Sequence, residues 1–293
     1  MKVMSGGLAE ELTQSLSMSA YFTLAYARYR SWMLREHPES EKGRVDAGDI
    51  SIYYRSYGQG EPVLMLHGGF MFAETWAGQI PALAGRYRAI TIDSRGHGRT
   101  TLGARPLTYR QLADDAAVLI EKLDLGSVHL VGWSDGGCTS LALALQRPDL
   151  VRGMVLLGTP FNTDNYSAEA KQKMEGILRP RSLSMLGLRS LRRLMTPEPE
   201  RGKEFLEEMA RMWRELPDFS REELGRIAAP TLVIGCDHDE FLSLQPDPLQ
   251  VFKDTMAAIP GARLSVVHGG THSVSIERPH EVNRLILEFF DSV

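Results

Sequence analysis

The chain has 293 residues, 43% of them hydrophobic, which is enough for one large domain or two small ones with a sizeable core. Its 33 basic and 37 acidic side chains give a formal net charge of −4, without a long block of either sign. We therefore expect no nucleic-acid partner and no membrane partner. Cys138 and Cys236 lack metal-ligand spacing and are too few for a disulfide framework, and no secretory signal is evident. These features favour a reduced, cytoplasmic protein without a metal site.

Residues 1–44 are predicted to form an amino-terminal helical extension. Within residues 8–36, apolar side chains recur at spacings of three and four, namely Leu8, Leu12, Leu16, Leu24 and Met33. We interpret the segment as one or two helices that pack on the domain or form the interface of a homodimer. A membrane anchor is the alternative, disfavoured because the polar face mixes both charges. The stretch HPESEKGR, residues 37–44, is interpreted as a linker.

From residue 45 the pattern changes to short β-rich runs. DISIYYRSYG alternates like a strand, and several continuous apolar runs end abruptly at glycine-rich or polar loops, namely PVLMLHGG, YRAITIDSRGHG, VHLVGWSDGG, VRGMVLLGTP, APTLVIGCDHD and RLSVVHGGTH. Helix-length stretches such as TYRQLADDAAVLIEKL separate them. This alternation predicts an α/β core with a mostly parallel sheet in residues 45–162 and 227–293. The loops at the carboxyl ends of such strands carry the chemistry.

Residues 163–226 interrupt the alternation. They hold several helical patterns, such as SAEAKQKMEGIL and KEFLEEMARMWREL, and no convincing strand. We interpret this stretch as a helical cap inserted over the strand ends.

The sequence VGWSDGG places Ser134 between a β-rich run and a helix-compatible run. A sharp strand-to-helix turn brings the backbone close to its neighbours, so the residues two before and two after the serine must be small. Gly132 and Gly136 meet this requirement, as in a nucleophile elbow.

A serine hydroxyl needs a base to take its proton and a third group to orient that base. Asp237 and Asp239 follow a later apolar run, and His268 and His272 follow the last one. The order Ser, Asp, His is the one that this sheet architecture uses.

From about residue 45 to its end, the chain resembles the α/β-hydrolase superfamily in four separated motifs. These are LHGG at 66–69, DSRGHGRT at 93–100, GWSDGG at 132–137, and the pair DHDEF and GGTHSVSIERP near the carboxyl terminus. GWSDGG is similar to small-molecule esterases of the biphenyl-hydrolase-like and valacyclovirase-like type. The resemblance implies a central sheet flanked by helices and a cofactor-free serine hydrolase.

The resemblance implies that Ser134 is the nucleophile and His272 the general base. The family reads G-x-x-D at the acid, and here Cys236 stands at the matching glycine. Asp239 is the favoured acid and Asp237 the alternative.

The resemblance also implies that the backbone N–H groups of Gly69 and Asp135 form the oxyanion hole. His67, Asp93 and Arg95 take structural roles in their loops.

Two expectations concern what enters the pocket. Phe70, Trp133 and Phe161 are expected to line an apolar substrate pocket. The Asp135 carboxylate beside the nucleophile either binds a substrate amine, or bonds within its own loop or faces solvent.

The favoured function is cleavage of a small-molecule ester, lactone or thioester through an acyl-enzyme. The alternatives on the same triad are aminoacyl ester or amide hydrolysis, carbon–carbon bond hydrolysis and acyl transfer, because function lies in the site and not in the fold. A non-catalytic ligand receptor is a further alternative, disfavoured because serine, histidine, acid and oxyanion glycines are all present.

Overall fold

The computed structural model describes residues 23–24, 26–35, 40–178 and 190–293. Within these ranges one sheet of eight strands runs through the molecule in the order β1-β2-β4-β3-β5-β6-β7-β8. The strands are β1 Ser40–Asp46, β2 Ser51–Tyr57, β3 Pro62–Leu66, β4 Arg88–Ile92, β5 Val128–Trp133, β6 Val151–Leu157, β7 Thr231–Cys236 and β8 Arg263–Val267. β1 pairs antiparallel with β2, and β2 with β4, whereas all pairs from β4 to β8 are parallel. The predicted α/β-hydrolase architecture, a mostly parallel sheet flanked by helices, is confirmed.

Helices cover both faces of the sheet. In chain order, α1 is described at residues 23–24 and 26–35, and it is followed by α2 Ile80–Ala84, α3 Tyr109–Lys122, α4 Asp135–Gln146, α5 Ala168–Leu178, α6 at residues 190–195, α7 Gly202–Glu215, α8 Arg221–Leu224, α9 Gln250–Ala258, α10 Val274–Glu277 and α11 Pro279–Phe290. Short 3₁₀ turns lie at Ala73–Gly78, Pro148–Leu150, Thr163–Asn165 and Pro199–Arg201. Among the described helices, none is long and apolar enough to cross a membrane.

The pleat of each strand divides the core into two layers. On β3, Leu64 and Leu66 belong to one apolar cluster, whereas Val63 and Met65 belong to the other. Successive side chains of a strand point to opposite faces, so a strand buried on both faces needs an apolar residue at every position. This is why the central strands read as continuous apolar runs.

The interpretation of HPESEKGR as a linker is wrong for residues 40–44. These residues begin β1, whose register on β2 runs from Ser40 opposite Tyr57 to Asp46 opposite Ser51. Most of β1 is exposed at the edge of the sheet. An edge strand gains its order from backbone hydrogen bonds to its neighbour, so its polar side chains carried no strand pattern.

The amino-terminal helix packs through an aromatic side chain. Tyr29 is 1% exposed and its hydroxyl hydrogen-bonds the Tyr57 hydroxyl at 2.7 Å. Of the apolar positions that predicted this helix, Met33 packs against the core and Leu24 is exposed. The predicted positions Leu8, Leu12 and Leu16 lie outside the described residues.

Between β6 and β7, the described residues form helices and no strand. The two ends of this insertion meet at a neck, where the N–H of Thr163 donates to the carbonyl of Pro217 at 2.8 Å and the N–H of Phe219 donates to that of Phe161 at 2.9 Å. α7 buries Phe205, among other side chains, against the sheet cluster that contains Leu64. The insertion is therefore packed onto the core above the strand ends.

Candidate active site

Ser134 stands at the sharp turn between β5 and α4. Its backbone has φ 55° and ψ −118°, a conformation that L residues rarely adopt and that costs about 1–3 kcal/mol. The turn leaves no room for side chains on either side. A Cβ at Gly132 would lie 2.5 Å from the Gly136 carbonyl oxygen, and a Cβ at Gly136 would overlap the Leu66 carbonyl. The two glycines are therefore required by close backbone approach.

The structure pairs His272 with Asp239. Nδ1 of His272 lies 2.9 Å from Oδ2 of Asp239, and the carboxylate is fully buried. The other oxygen of Asp239 accepts the backbone N–H groups of Phe241 and Leu242, which fixes its orientation. The Trp133 indole N–H donates to the His272 carbonyl at 2.8 Å and ties the histidine loop to the end of β5.

Asp237 points elsewhere. Its carboxylate contacts the His268 ring at 2.9 Å and accepts the Gly269 N–H at 2.6 Å. The His268 side chain is 80% exposed, so this second pair lies on the surface. Of the two aspartates that the sequence left open, only Asp239 contacts His272.

Gly158 is a site residue that sequence reasoning missed. It follows β6, has φ +51°, and a Cβ there would lie 3.0 Å from Nδ1 of His272 and 3.3 Å from Oδ2 of Asp239. The preceding residue, Leu157, accepts the N–H of Ser134 at 2.9 Å. The end of β6 thus contacts both Ser134 and the Asp239–His272 pair. The signal in the sequence was the glycine that ends the VLLG run.

The surroundings of His272 set its proton affinity. Burial disfavours the charged ring, but the carboxylates of Asp239, Glu240 and Asp135 outweigh burial, so the pKa of His272 is raised above its ordinary value. With Nδ1–H donating to Asp239, the neutral ring presents the lone pair of Nε2. Such a ring can accept a proton and hold it as imidazolium.

The loop after β3 holds Gly69 beside the nucleophile elbow. Nδ1–H of the buried His67 donates to the Gly68 carbonyl at 2.8 Å, and Nε2 accepts the Ser94 N–H at 3.0 Å. A Cβ at Gly69 would lie 2.5 Å from Oδ2 of Asp135. Asp135 is the first residue of α4, where backbone N–H groups have no partner within the helix. The two predicted oxyanion donors therefore belong to adjoining segments.

The Asp135 side chain is held by two other helices. Its carboxylate is buried and accepts the Tyr109 hydroxyl of α3 and the Trp213 indole N–H of α7, each at 2.9 Å. Burial raises the pKa of Asp135, and the two hydrogen bonds oppose that rise. The interpretation that it bonds within its own loop or faces solvent is wrong. Trp213 lies 78 positions away in sequence, which no local pattern reveals.

The three predicted substrate-binding side chains occupy different places. Phe70 has φ 61°, contacts the rings of Phe205 and Trp213 edge-on, and lines a cavity of about 280 Å³. Trp133 and Phe161 are buried within the two apolar clusters. Of the three, Phe70 alone lines this cavity.

The DSRGHGRT loop is braced by buried ion pairs. Asp93 accepts the Ala73 N–H at 2.7 Å and pairs with Arg99. The Arg95 side chain is 0% exposed and bridges Asp49 and Asp115, at 2.7 Å to each. Asp93 and Arg95 therefore hold this loop in place. In the part of the chain that the structure describes, no group of three or more His, Cys, Asp or Glu side chains could hold a metal ion.

Known proteins resemble this chain over most of its length. Its sequence is 30% identical over 268 residues to the pyrrolizixenacetamide deacetylase of Xenorhabdus hominickii, spanning 84% of this chain and 97% of that protein. It is 27% identical over 293 residues to the 2-hydroxy-6-oxononadienedioate/2-hydroxy-6-oxononatrienedioate hydrolase 2 of Pseudomonas putida, spanning 87% and 98%. The solved structure of Est816, described as an N-acyl homoserine lactone degrading enzyme, matches with a TM-score of 0.68 at 25% identity, over 84% of this chain and 100% of that one.

The family comparison covers the same region as the sheet and the candidate site. The model of the alpha/beta hydrolase family matches residues 63–285, which include the elbow, both predicted oxyanion residues and the Asp239–His272 pair. This chain is a member of the alpha/beta hydrolase family.

Proposed function

We propose that this protein is a serine hydrolase that cleaves a small-molecule carboxylic ester, lactone or thioester through an acyl-enzyme. The observation that carries the proposal is the contact of 2.9 Å between Asp239 and His272, on a loop that the indole of Trp133, the residue before a serine held at φ 55°, contacts directly. Strain at a single non-glycine residue points to function when the surrounding structure maintains it. An oriented base next to such a serine is the arrangement that activates a hydroxyl.

The proposed reaction has two halves. Nε2 of His272 takes the proton of Ser134 as Oγ attacks the carbonyl carbon, and Asp239 stabilises the imidazolium. The N–H groups of Gly69 and Asp135 stabilise the oxyanion, each contributing about 3 kcal/mol to the transition state. His272 then gives its proton to the leaving alcohol or thiol. Water attacks the acyl-enzyme by the same route and restores Ser134.

A fluorophosphonate probe tests the proposal directly. Labelling is located by peptide mass spectrometry in the parent and in Ser134→Ala, and both are then assayed with esters of graded acyl length. Labelling at Ser134, with ester turnover that is lost in the variant, supports the proposal. A folded parent that neither reacts nor turns over any ester would contradict it and favour the receptor alternative.

A second candidate is an aminoacyl ester hydrolase. The buried Asp135 carboxylate favours it, because its hydrogen-bond partners among the described residues are the neutral Tyr109 and Trp213, with no cation. A substrate ammonium group could supply the missing positive charge. The test compares an α-amino ester with its des-amino analogue in the parent and in Asp135→Asn. Equal preference in the two proteins would exclude this role.

Carbon–carbon bond hydrolysis and acyl transfer remain alternatives on the same residues, because one fold and triad support several reactions. The relatives described above are named for deacetylation, lactone degradation and hydrolysis of a dienedioate. Product analysis with an ester, in water and with an added alcohol, separates hydrolysis from transfer. A product in which the acyl group has passed to the added alcohol instead of water would favour the acyl-transfer alternative.

A further inference from the structure

The backbone of His272 is held by side chains at both of its polar groups. Its carbonyl accepts the Trp133 indole N–H, and its own N–H donates to Oε2 of Glu240 at 3.0 Å. His272 lies in the loop between β8 and α10, outside any strand or helix. Backbone donors in such loops need partners from elsewhere. The Glu240 carboxylate is the partner that this donor has found.

The same contact extends a pairing between the two loops that carry the acid and the histidine. The loops follow β7 and β8, which are parallel neighbours in the sheet. Beyond the strands, the N–H of His238 donates to the Gly270 carbonyl at 3.1 Å. Glu240 and His272 each lie two positions further along their loops, and at that point a side chain makes the connection. The Glu240 carboxylate therefore joins the loops at the residue that carries the proposed base.

Three successive residues contact His272 in three different ways. The Asp239 carboxylate lies 2.9 Å from Nδ1 of the ring, and the Phe241 ring meets the imidazole edge-on, with 4.9 Å between the ring centres. Glu240, between them, contacts the backbone instead. A ring is held only as precisely as the backbone that bears it. The two ring contacts therefore depend on the backbone contact for their geometry.

The Glu240 carboxylate is exposed, and among the described residues it forms no ion pair. The other charged groups near the imidazole are Asp239 and Asp135, and Lys173 of α5 lies 5.2 Å from the centre of the phenyl ring that contacts it. Burial lowers the pKa of His272, but Asp239 first and then Glu240 raise it, and they prevail. Because the Glu240 carboxylate is exposed, salt screens its share of this effect.

We propose that Glu240 is a positioning residue for His272: its carboxylate holds the backbone N–H of the histidine and thereby sets where Nε2 meets the hydroxyl of Ser134. The inference rests on the proposed serine hydrolysis and adds a residue to its machinery. Proton transfer between the two side chains requires their heavy atoms to approach within about 2.6–3.2 Å. A carboxylate makes a shorter and stronger hydrogen bond to an N–H group than a neutral acceptor does, so it restrains the loop closely.

The test separates the hydrogen bond from the charge. Glu240→Gln keeps the chain length and an acceptor oxygen but removes the charge, whereas Glu240→Ala removes both. Glu222→Ala, at an exposed glutamate of α8, is the control. For each protein, kcat and KM are measured against pH with p-nitrophenyl butyrate, at low salt and in 1 M NaCl. Fluorophosphonate titration gives the concentration of active sites.

We expect Glu240→Ala to lower kcat per active site by about tenfold with little change in KM, because a displaced base slows the chemical step. Glu240→Gln should restore most of that rate. Both variants should move the acidic limb of the profile to lower pH by about half a unit at low salt, since losing a nearby negative charge lowers the pKa of His272. This difference from the parent should shrink in 1 M NaCl, and Glu222→Ala should match the parent.

Two outcomes overturn the inference. A merely structural role would reduce the stability of Glu240→Ala and its fraction of active sites, but would leave kcat per site and the acidic limb as in the parent. If Glu240→Gln is as slow as Glu240→Ala, the charge alone carries the effect and Glu240 does not position the loop.

Nuclear magnetic resonance keeps the inference testable if the proposed function fails. If Ser134 is not labelled and no ester is cleaved, the backbone amide and ring resonances of His272 are followed against pH in the parent and both Glu240 variants. The inference predicts an amide resonance that shifts as Glu240 titrates in the parent and does not in Glu240→Gln. An amide resonance that is identical in all three proteins at every pH would contradict it.

Discussion

At the scale of single residues, the Asp239–His272 pair governs the predicted pH dependence. The proposed reaction needs the neutral ring of His272, whose pKa is raised above the ordinary value of about 6.5 by the carboxylates around it. We therefore expect kcat/KM to fall as the pH drops through a value above 6.5. Asp239→Asn should move this limb to lower pH and reduce kcat by about 10⁴-fold.

The control for that experiment is Asp237→Asn. Asp237 pairs with the exposed His268 and does not contact His272, so its variant should keep the parent pH profile and rate. A limb that stays in place in Asp239→Asn would show that Asp239 does not set the proton affinity of His272.

A second prediction concerns Gly69. An added Cβ would lie 2.5 Å from Oδ2 of Asp135 and 2.6 Å from the Trp213 ring, so the loop has to move and carry its N–H out of position. We expect Gly69→Ala to lower kcat by about 10²–10³-fold, as for loss of one oxyanion donor. Gly85→Ala is the matched control, because the nearest atom to its Cβ lies at 3.8 Å. Similar rates in the two variants, both folded by circular dichroism, would argue against Gly69 as a donor.

At the scale of elements, a part-buried hydrogen bond joins α7 to the turn at Ser134. The Trp213 indole N–H donates to the Asp135 carboxylate at 2.9 Å. Trp213→Phe keeps an aromatic ring and leaves that oxygen without its donor, which should lower the free energy of unfolding by about 1–3 kcal/mol. The measurement is urea unfolding of the two single variants, Trp213→Phe and Asp135→Asn, and of the double variant.

The double-mutant cycle isolates the contact between the two elements. We expect a coupling of about 0.5–3 kcal/mol, because residues in one hydrogen-bond network are not additive. Strictly additive losses would mean that the indole and the carboxylate do not interact in solution.

Strand β1 shows at the element scale why some structure escaped prediction. Its sequence, SEKGRVD, is mostly polar, because its side chains are mostly exposed and its order comes from backbone pairing with β2. α1 is a related case. Its apolar spacing predicted a helix, but the side chain that is fully buried is Tyr29, which meets a tyrosine of β2. In both elements the partner segment decided the outcome.

At the scale of the whole molecule, Arg95 connects three distant parts of the chain. Its guanidinium bridges Asp49, between β1 and β2, and Asp115, on α3. Removing the arginine would leave buried carboxylate without its counter-charge, which typically costs about 3–5 kcal/mol. We expect Arg95→Met to reduce the free energy of unfolding at pH 7 by this amount, as measured by urea titration.

Arg86→Met is the comparison for this variant. Arg86 makes an ion pair with Asp291 that is about half exposed, and exposed pairs contribute little to stability, so Arg86→Met should change the free energy of unfolding much less than Arg95→Met. Equal losses in the two variants would mean that burial does not set the strength of the Arg95 bridge.

The sequence alone determined the sheet architecture, the elbow around Ser134 and the residues from which an acid–base pair could be drawn. These features depend on local physics: the alternation of a pleated strand, the close backbone contact that demands glycine, and the abrupt end of an apolar run. Each of these patterns is contained within about ten neighbouring residues. The family comparison agrees with the fold that they predict.

Only the tertiary structure decided which aspartate faces His272 and where the Asp135 carboxylate finds its donors. Asp237 and Asp239 have the same chemistry and lie two positions apart, so the direction in which the chain leaves β7 separates them. The partners of Asp135 come from α3 and α7. Such contacts depend on how distant segments pack, and packing is a property of the assembled core rather than of any one segment.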